Sequence, residues 1–399
     1  MKFGLANMAR LTAALDHPEA AFKSILIAGT NGKGSVTAMV ETALRAAGHR
    51  VARYTSPHLV RLEERFVIDG NEVESESLAR VASRVQAIAE ELVASRTLEA
   101  LPTFFECTTA IAFELFRDAG VDIAVLEVGL GGRLDATNIV SPIAGAIVSI
   151  DFDHQAQLGN SLASIAAEKA GIARQGIPIV CGEMPPEARD AIAAVCDERG
   201  AIMIEAARDA DVVARVAAAR PLALPGRHQI ANAAVAVRLL DALTDQGIHV
   251  DENAIRSALT ETKWPGRLER FNVQGCMVLL DAAHNPAGAR ALAEFLRDAA
   301  PDGVTLVFGA MKDKAVAEMF EALRPIPRRV FCTTAPTPRA FDAMSLAAIA
   351  RGSGFDAEAV PDPFEALARA CSAARPVVVA GSIFLIGPIR ERLARDILR

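Results

Sequence analysis

Ser24-Ile25-Leu26-Ile27-Ala28-Gly29-Thr30-Asn31-Gly32-Lys33-Gly34-Ser35 runs directly into Val36-Thr37-Ala38-Met39-Val40-Glu41-Thr42-Ala43-Leu44. An apolar run short enough for a buried strand meets a glycine-rich turn, and a pattern with helical spacing begins at Ser35. This is the layout of a phosphate-binding loop. Glycines let backbone amides converge on an anion, the helix start adds partial positive charge, and Lys33 supplies a full one. The loop departs from Walker A, which wants Ser or Thr directly after the lysine, whereas Lys33 is followed by Gly34 and then Ser35. A strand-to-helix turn that happens to hold a lysine is the competing reading.

Length and charge narrow the classes around that loop. A chain of 399 residues exceeds one ordinary core and predicts two domains, or three. With a net charge of -7 and no basic stripe, nucleic acid is disfavoured as a partner. No apolar stretch approaches the roughly 20 residues of a membrane span and the N-terminus has no apolar signal region, which predicts a cytoplasmic protein with no membrane partner. Cys107, Cys181, Cys196, Cys276, Cys332 and Cys371 fall singly in apolar segments, never as CxxC. They read as small core residues in a reducing compartment, not as disulfides or a zinc site.

Along the chain, residues 1 to 22 predict a short helix, with Phe3, Leu5, Met8, Leu11 and Leu15 at helical spacing. A strand over 50–54 opens into Thr55-Ser56-Pro57-His58-Leu59, where Pro57 forbids further pairing. Helices follow over 76–95 and 103–118, the second closed by Gly120. Val121 to Val128 reads as a central strand with Glu127 near its carboxyl end, where open α/β sheets bind ligands. A second such strand, 144–150, leads into Asp151-Phe152-Asp153-His154. Between them, Gly129-Leu130-Gly131-Gly132-Arg133-Leu134-Asp135-Ala136-Thr137-Asn138 fails the dinucleotide template because Leu134 stands at the third glycine position; a backbone-dense ligand loop fits better. A helix over 161–173 carries Glu168 and Lys169, and a loop at Pro225-Gly226 enters another helix.

Trp264-Pro265-Gly266-Arg267 is the clearest boundary. Beyond it, strands near 277–282, 304–309, 329–334, 356–360 and 376–381 alternate with helices, and the first ends at Asp281-Ala282-Ala283-His284. The expected fold class is α/β: residues 1–266 as an N-terminal P-loop ATPase-like domain with a central, mostly parallel sheet, and residues 267–399 as a smaller, Rossmann-like, doubly wound domain. The cleft between two such units is the default site.

With these residues assembled, the chain resembles the folylpolyglutamate synthase and dihydrofolate synthase family of Mur-type amide ligases. The match rests on GTNGKGS at Gly29, TSPHL at Thr55, EVGLGGRLDATN at Glu127, DHQAQLG at Asp153, EKAGI at Glu168, PGRHQIANAA at Pro225, WPGRLE at Trp264, DAAHNP at Asp281 and GAMKDK at Gly309, in family order. The resemblance implies ATP-driven amide formation. A substrate carboxylate attacks the γ-phosphate to give an acyl phosphate, and the amino group of L-glutamate displaces phosphate. Negative charges must meet in that step, so Lys33 and magnesium are needed to offset them.

By the same resemblance, Gly29, Thr30, Asn31, Gly32, Lys33, Gly34 and Ser35 cradle the phosphates. Ser56 and Glu127 hold one magnesium, and His154 helps hold a second. Lys169 is the lysine that carbon dioxide carbamylates, a reaction open only to a neutral amine; an exposed helix lysine is the plain alternative. Asn232, with Gln229 and His228, lies against adenine; Arg267 reaches the phosphates from the hinge, so that domain closure would deliver its charge; and Asp281 holds the ribose. His284 stands beside triphosphate and glutamate, with Ser382 as a further glutamate contact. A monovalent cation is a further implied ion. Thr103, Phe105, Asp135 and Ala136 form a dihydropteroate pocket in members that also make dihydrofolate, Phe105 stacking on the pterin and Asp135 accepting its N–H groups; a core role for Phe105 is the alternative. Members with polyglutamylation alone vary at the RLDA stretch, so its presence favours a bifunctional enzyme.

The implied partners are ATP, dihydropteroate or reduced folates, and L-glutamate, acting on a monomer. Two other readings remain. A ligase building a cell-wall nucleotide precursor would carry an extra domain ahead of the loop, where only about two dozen residues stand here. A nucleotide-hydrolysing switch would need no second α/β unit.

Overall fold

The computed structural model describes residues 4–372 and 376–397. Two compact units make up the chain, Met1–Ala223 with Gln229–Lys263, and Leu224–His228 with Trp264–Arg399. The sequence put its boundary between residues 266 and 267; the units divide between Lys263 and Trp264, and the short segment 224–228 groups with the second.

The first unit carries β1 (Lys23–Ala28), β2 (Val51–Tyr54), β3 (Phe66–Ile68), β4 (Asn71–Glu72), β5 (Ile123–Glu127), β6 (Pro142–Ile147), β7 (Pro178–Cys181) and β8 (Ile202–Glu205). Their order is β4-β3-β2-β5-β1-β6-β7-β8, parallel except for the β2–β3–β4 edge. Every residue of β1 after Lys23 is buried, as expected of a strand covered on both faces. Ile27 pairs with Glu127 on one side and Ala146 on the other, so β1, β5 and β6 end at one edge and set down Gly29, Glu127 and Val148 together. Helix Lys33–Ala46 starts at this edge, packs on β1, β2 and β5, and is buried from Gly34 to Leu44.

Several elements differ from the sequence expectation. The phosphate-loop helix begins at Lys33, two residues before Ser35. β6 stops at Ile147 because Ser149 and Asp151 turn toward the loop, where Thr30 N donates to Ser149 O at 2.8 Å and Thr30 Oγ1 to Asp151 O at 3.1 Å. The first helix spans only Ala6–Ala14, followed by a turn of 3-10 helix at Pro18–Ala20; Phe3 lies outside the described residues. Helix Leu162–Ala170 is shorter than 161–173 at both ends. Cys181, Cys196 and Cys332 are buried, but Cys107, Cys276 and Cys371 are only half-buried, and all six are free thiols.

The second unit carries β9 (Glu269–Val273), β10 (Cys276–Leu280), β11 (Val304–Phe308), β12 (Pro327–Cys332), β13 (Ala357–Ala359) and β14 (Val377–Ala380), ordered β13-β12-β11-β14-β10-β9. All pairs are parallel except β9–β10, a hairpin the periodicity did not reveal. Its two-residue turn holds Gln274 at φ 49° and Gly275 at φ 87°, the positive pair a tight hairpin needs, but Gln-Gly is not the usual Asn-Gly signal. Among the described residues no helix is long and apolar enough to cross a membrane.

Candidate active site

The phosphate loop is held from below by the strand end beside it. Asn31 N donates to Ser149 Oγ at 3.0 Å, and Ser149 Oγ donates to Asn31 O at 3.0 Å. Gly32 sits at φ 84°, and a Cβ there would overlap Asn232 Oδ1, so only glycine lets the turn pass under that side chain. Asn232 Nδ2 donates to Gln229 Oε1 at 2.9 Å, and Gln229 Nε2 donates to Ser35 Oγ at 3.2 Å. A buried polar chain therefore ties the first turns of helix Arg227–Thr244 to the loop's helix, bringing Asn232, Gln229, Gly32 and Ser35 together.

Two lysines converge on the loop. Lys33 Nζ donates to Gly29 O at 3.1 Å and to Thr30 O at 3.3 Å. Lys169, at the end of helix Leu162–Ala170, is 5% exposed and donates from Nζ to the same Gly29 O at 3.0 Å. Burial and then the charge of Lys33 pull the Lys169 ammonium down to about 7, against the attraction of Asp153 and Asp135. The amine therefore holds a substantial neutral fraction at neutral pH. The exposed-lysine alternative is excluded by this burial.

Magnesium asks for hard oxygen donors and keeps several waters. Glu127 is buried at the end of β5, and its Oε2 accepts from Ser56 N at 3.1 Å, so a carboxylate and a hydroxyl-bearing residue stand side by side at the sheet edge. Among the described residues no three of His, Cys, Asp and Glu gather into a cage. Two oxygen-bearing side chains to be completed by phosphate and water are a set that fits magnesium, not zinc. His154 stands in the left-handed region at φ 50°, ahead of the short helix Gln155–Leu158, with Nε2 3.8 Å from Asp153 Oδ1.

The residues assigned to the pterin side have well-defined structural tasks. Thr103 caps helix Phe104–Ala119: its Oγ1 accepts from Glu106 N at 3.2 Å, and Glu106 returns the bond to Thr103 N at 2.6 Å. The Phe105 ring lies 6.1 Å from that of Tyr54 and so tightly over Gly129 that a Cβ there would come within 2.5 Å of it. Asp135 is buried, and its carboxylate accepts from Leu130 N at 2.9 Å, Thr137 N at 3.0 Å and Thr137 Oγ1 at 2.6 Å. Burial pushes its carboxyl upward against those bonds. Ala136 is buried beside it. The glycine-rich stretch is indeed backbone-dense, but against its own chain: a Cβ at Gly132 would come within 2.7 Å of Lys169 O, and Arg133 N donates to Glu168 O at 2.9 Å. Asp135 thus shapes the loop that seats the Lys169 helix.

In the second unit, Asp281 follows β10 and uses both oxygens on the backbone, Oδ2 accepting from Leu268 N at 3.0 Å and Oδ1 from Ala283 N at 2.9 Å. That fixes the residue next to Arg267. Burial lowers the His228 pKa; Asp281 opposes the shift and Arg267 adds to it. His284 Nδ1–H donates to Ala282 O at 2.9 Å, and Ser382 Oγ accepts from Phe384 N at 3.1 Å at the start of helix Ile383–Ile397. The sequence reading did not single out Asn138, whose Nδ2 donates to Arg133 O and Gly171 O at 3.1 Å each, nor Ser149 beneath the loop. Asn138 closes the EVGLGGRLDATN motif and Ser149 follows a strand that ends beside the loop, and those positions were the available signal.

The chain is similar to proteins of known family along almost its whole length. Residues 266–383 match the Mur ligase, glutamate ligase domain family. The chain is 34% identical over 414 residues to the Bacillus subtilis dihydrofolate synthase/folylpolyglutamate synthase, covering 98% of this chain and 95% of that one. It superposes on Mycobacterium tuberculosis folylpolyglutamate synthase complexed with ADP with a TM-score of 0.89 at 31% identity, covering 98% and 95% of the two chains. It superposes on Escherichia coli FolC in complex with DHPP and ADP with a TM-score of 0.87 at 30% identity, covering 99% and 94%. The match along almost the whole length shows the family: the chain belongs to the dihydrofolate synthase/folylpolyglutamate synthase family of ATP-dependent glutamate ligases.

Proposed function

We propose that this enzyme couples ATP cleavage to amide formation between L-glutamate and a pteroyl acceptor, taking both dihydropteroate and the γ-carboxylate of reduced folates. The observation that carries the reading is the meeting of Lys33 and the buried Lys169 on one loop carbonyl, beside a strand end bearing Glu127. An acceptor carboxylate oxygen attacks the γ-phosphorus, the bond to ADP breaks, and the acyl phosphate forms. The glutamate nitrogen then attacks the acyl carbon and phosphate leaves. Lys33 offsets the charge that two anions bring together, and the loop amides orient the phosphates. Ser56 and Glu127 would hold magnesium, which supplies charge neutralisation between the phosphates, and His154 would contribute to a second such ion. A lowered Lys169 amine suits carbamylation, which converts a cation into an acidic group next to the loop.

Asn232, Asp281 and Arg267 are assigned to the nucleotide, Thr103, Phe105, Asp135 and Ala136 to the pterin, and His284 and Ser382 to glutamate. A monomer in a reducing cytoplasm suits the free cysteines; sedimentation of the enzyme at assay concentration would show a dimer if that part is wrong. Phosphate release distinguishes the activities. Release is expected with dihydropteroate plus L-glutamate and with tetrahydrofolate plus L-glutamate, and not with ATP alone. Activity with tetrahydrofolate only would reduce the enzyme to polyglutamylation, and release with ATP alone would favour a switch.

A further inference from the structure

Arg65, at the end of the loop that begins at Ser56, is a buried cation without a counter-ion. It is 7% exposed, and among the described residues no carboxylate lies within ion-pair distance and no acceptor takes its Nη hydrogens. Buried arginines are normally paired. The adjacent acids are committed elsewhere: Glu64 accepts from the amides of Leu59, Val60 and Arg61 at 2.6, 3.1 and 2.9 Å, and Glu63 from Ser75 Oγ at 2.6 Å. The guanidinium is nevertheless fixed in place. Its Nε donates to His58 Nδ1 at 3.0 Å, and its face lies 5.3 Å over the ring of Phe104, itself 61% exposed. What is left over is the Nη edge, a planar fork that matches a carboxylate.

Its place in the loop indicates which carboxylate. Arg65 O accepts from Thr55 N at 3.1 Å, so Arg65 is one hydrogen bond away from the residue preceding Ser56, and Ser56 N donates to Glu127. We infer that Arg65 receives the α-carboxylate of the terminal glutamate on a folate acceptor while the γ-carboxylate reacts beside Ser56 and Glu127. This rests on the acceptor reading above. A glutamyl acceptor carries a second carboxylate only three carbons from the reacting one, whereas dihydropteroate has none to offer. Arg65 is therefore a specificity residue that favours chain extension over the first glutamylation.

The test is the ratio of kcat/KM for tetrahydrofolate to that for dihydropteroate. In Arg65→Gln the ratio is expected to fall at least about tenfold, through KM for tetrahydrofolate, with partial recovery in Arg65→Lys. His58→Ala, which frees the guanidinium without removing it, should move the ratio the same way by less. Thermal midpoints and ADP binding report whether each variant is folded, and His58→Ala carries the test if Arg65→Gln is not. A ratio within about twofold of the parent, or equal losses for both acceptors, overturns the assignment. Equilibrium binding separates the two claims: a parent enzyme that binds neither acceptor refutes the acceptor reading and this inference with it. Parent and Arg65→Gln enzymes binding tetrahydrofolate equally refute Arg65 alone.

Discussion

Lys33 and Lys169 donate to the same oxygen, that of Gly29, at 3.1 and 3.0 Å, from opposite ends of two helices. Lys33 is half-buried at a helix start and has a second carbonyl, Thr30 O, at 3.3 Å. Lys169 is sealed under the loop at a helix end, and burial with the neighbouring Lys33 charge draws its pKa to about 7. One carbonyl thus serves two cations, and access to solvent separates them. The phosphate-binding role proposed for Lys33 calls for a cation, whereas the carbamylation proposed for Lys169 calls for an amine that can lose its proton.

The largest effect should follow removal of Lys33. Lys33→Ala is expected to lower kcat about 10³-fold in the phosphate-release assay, since transition-state charge is left without its donor. It should also raise the Lys169 pKa, because the second cause of its depression is gone. A loss of less than about tenfold would mean the two lysines do not divide the work as described.

Lys169→Met should reduce kcat by about 10² if the modified lysine acts near the phosphates, and native mass spectrometry of the parent should show the added mass of one carbon dioxide that the variant lacks. Stability gives a separate handle. The native pKa of about 7 lies below the ordinary 10.5, so between these values the unfolded chain holds a proton the native chain lacks, and stability rises with pH through that window. The slope for one group is about 1.4 kcal/mol per pH unit at most. Urea midpoints of Lys169→Met should exceed those of the parent most below about pH 7, with the gap closing toward pH 10. A gap that does not depend on pH would place Lys169 in a more solvated setting than its burial implies.

Gly32→Ala probes how closely the loop fits the helix that carries Asn232. At φ 84°, with a Cβ overlapping Asn232 Oδ1, it should cost about 1–3 kcal/mol of stability and raise the KM for ATP. An ATP KM unchanged within about twofold would separate the Asn232 chain from nucleotide binding.

Most of the fold was legible because its strands are apolar runs closed by glycine or acid, and β1, β5, β10, β11 and β14 all fall where such runs stand. The elements that escaped notice have weaker signals. β4 and β9 are edge strands with mostly exposed or half-buried positions, so no apolar run marks them; β3 is apolar but only three residues long, too short to stand out; and Gln274 supplies a left-handed turn conformation that its residue type does not advertise. At the site, Lys33, Glu127 and Lys169 could be read as chemical groups, but the partners that set their behaviour are main-chain atoms. Gly29 O, Lys169 O and Glu168 O have no side-chain identity to read, and Arg65 differs from a paired arginine only in that, among the described residues, no carboxylate lies within ion-pair distance of it.

The smallest effect falls at Thr103, which a family resemblance assigns to the pterin and which the structure shows capping a helix. The two roles need different atoms. Capping requires only an oxygen on Cβ, to accept from Glu106 N, and Thr103→Ser keeps it; Thr103→Ala loses it, for about 1 kcal/mol. If capping is the whole role, the thermal midpoint of Thr103→Ala should fall by several degrees, about 2–4 °C for a domain of this size, while Thr103→Ser stays at the parent value with an unchanged KM for dihydropteroate. A raised KM in the serine variant at unchanged stability would instead show that the threonine methyl touches the acceptor. Because Phe105 follows in the same first turn, a lost cap would also loosen the ring that covers Gly129, so Thr103→Ala alone could not separate the roles, and the serine variant is the one that decides.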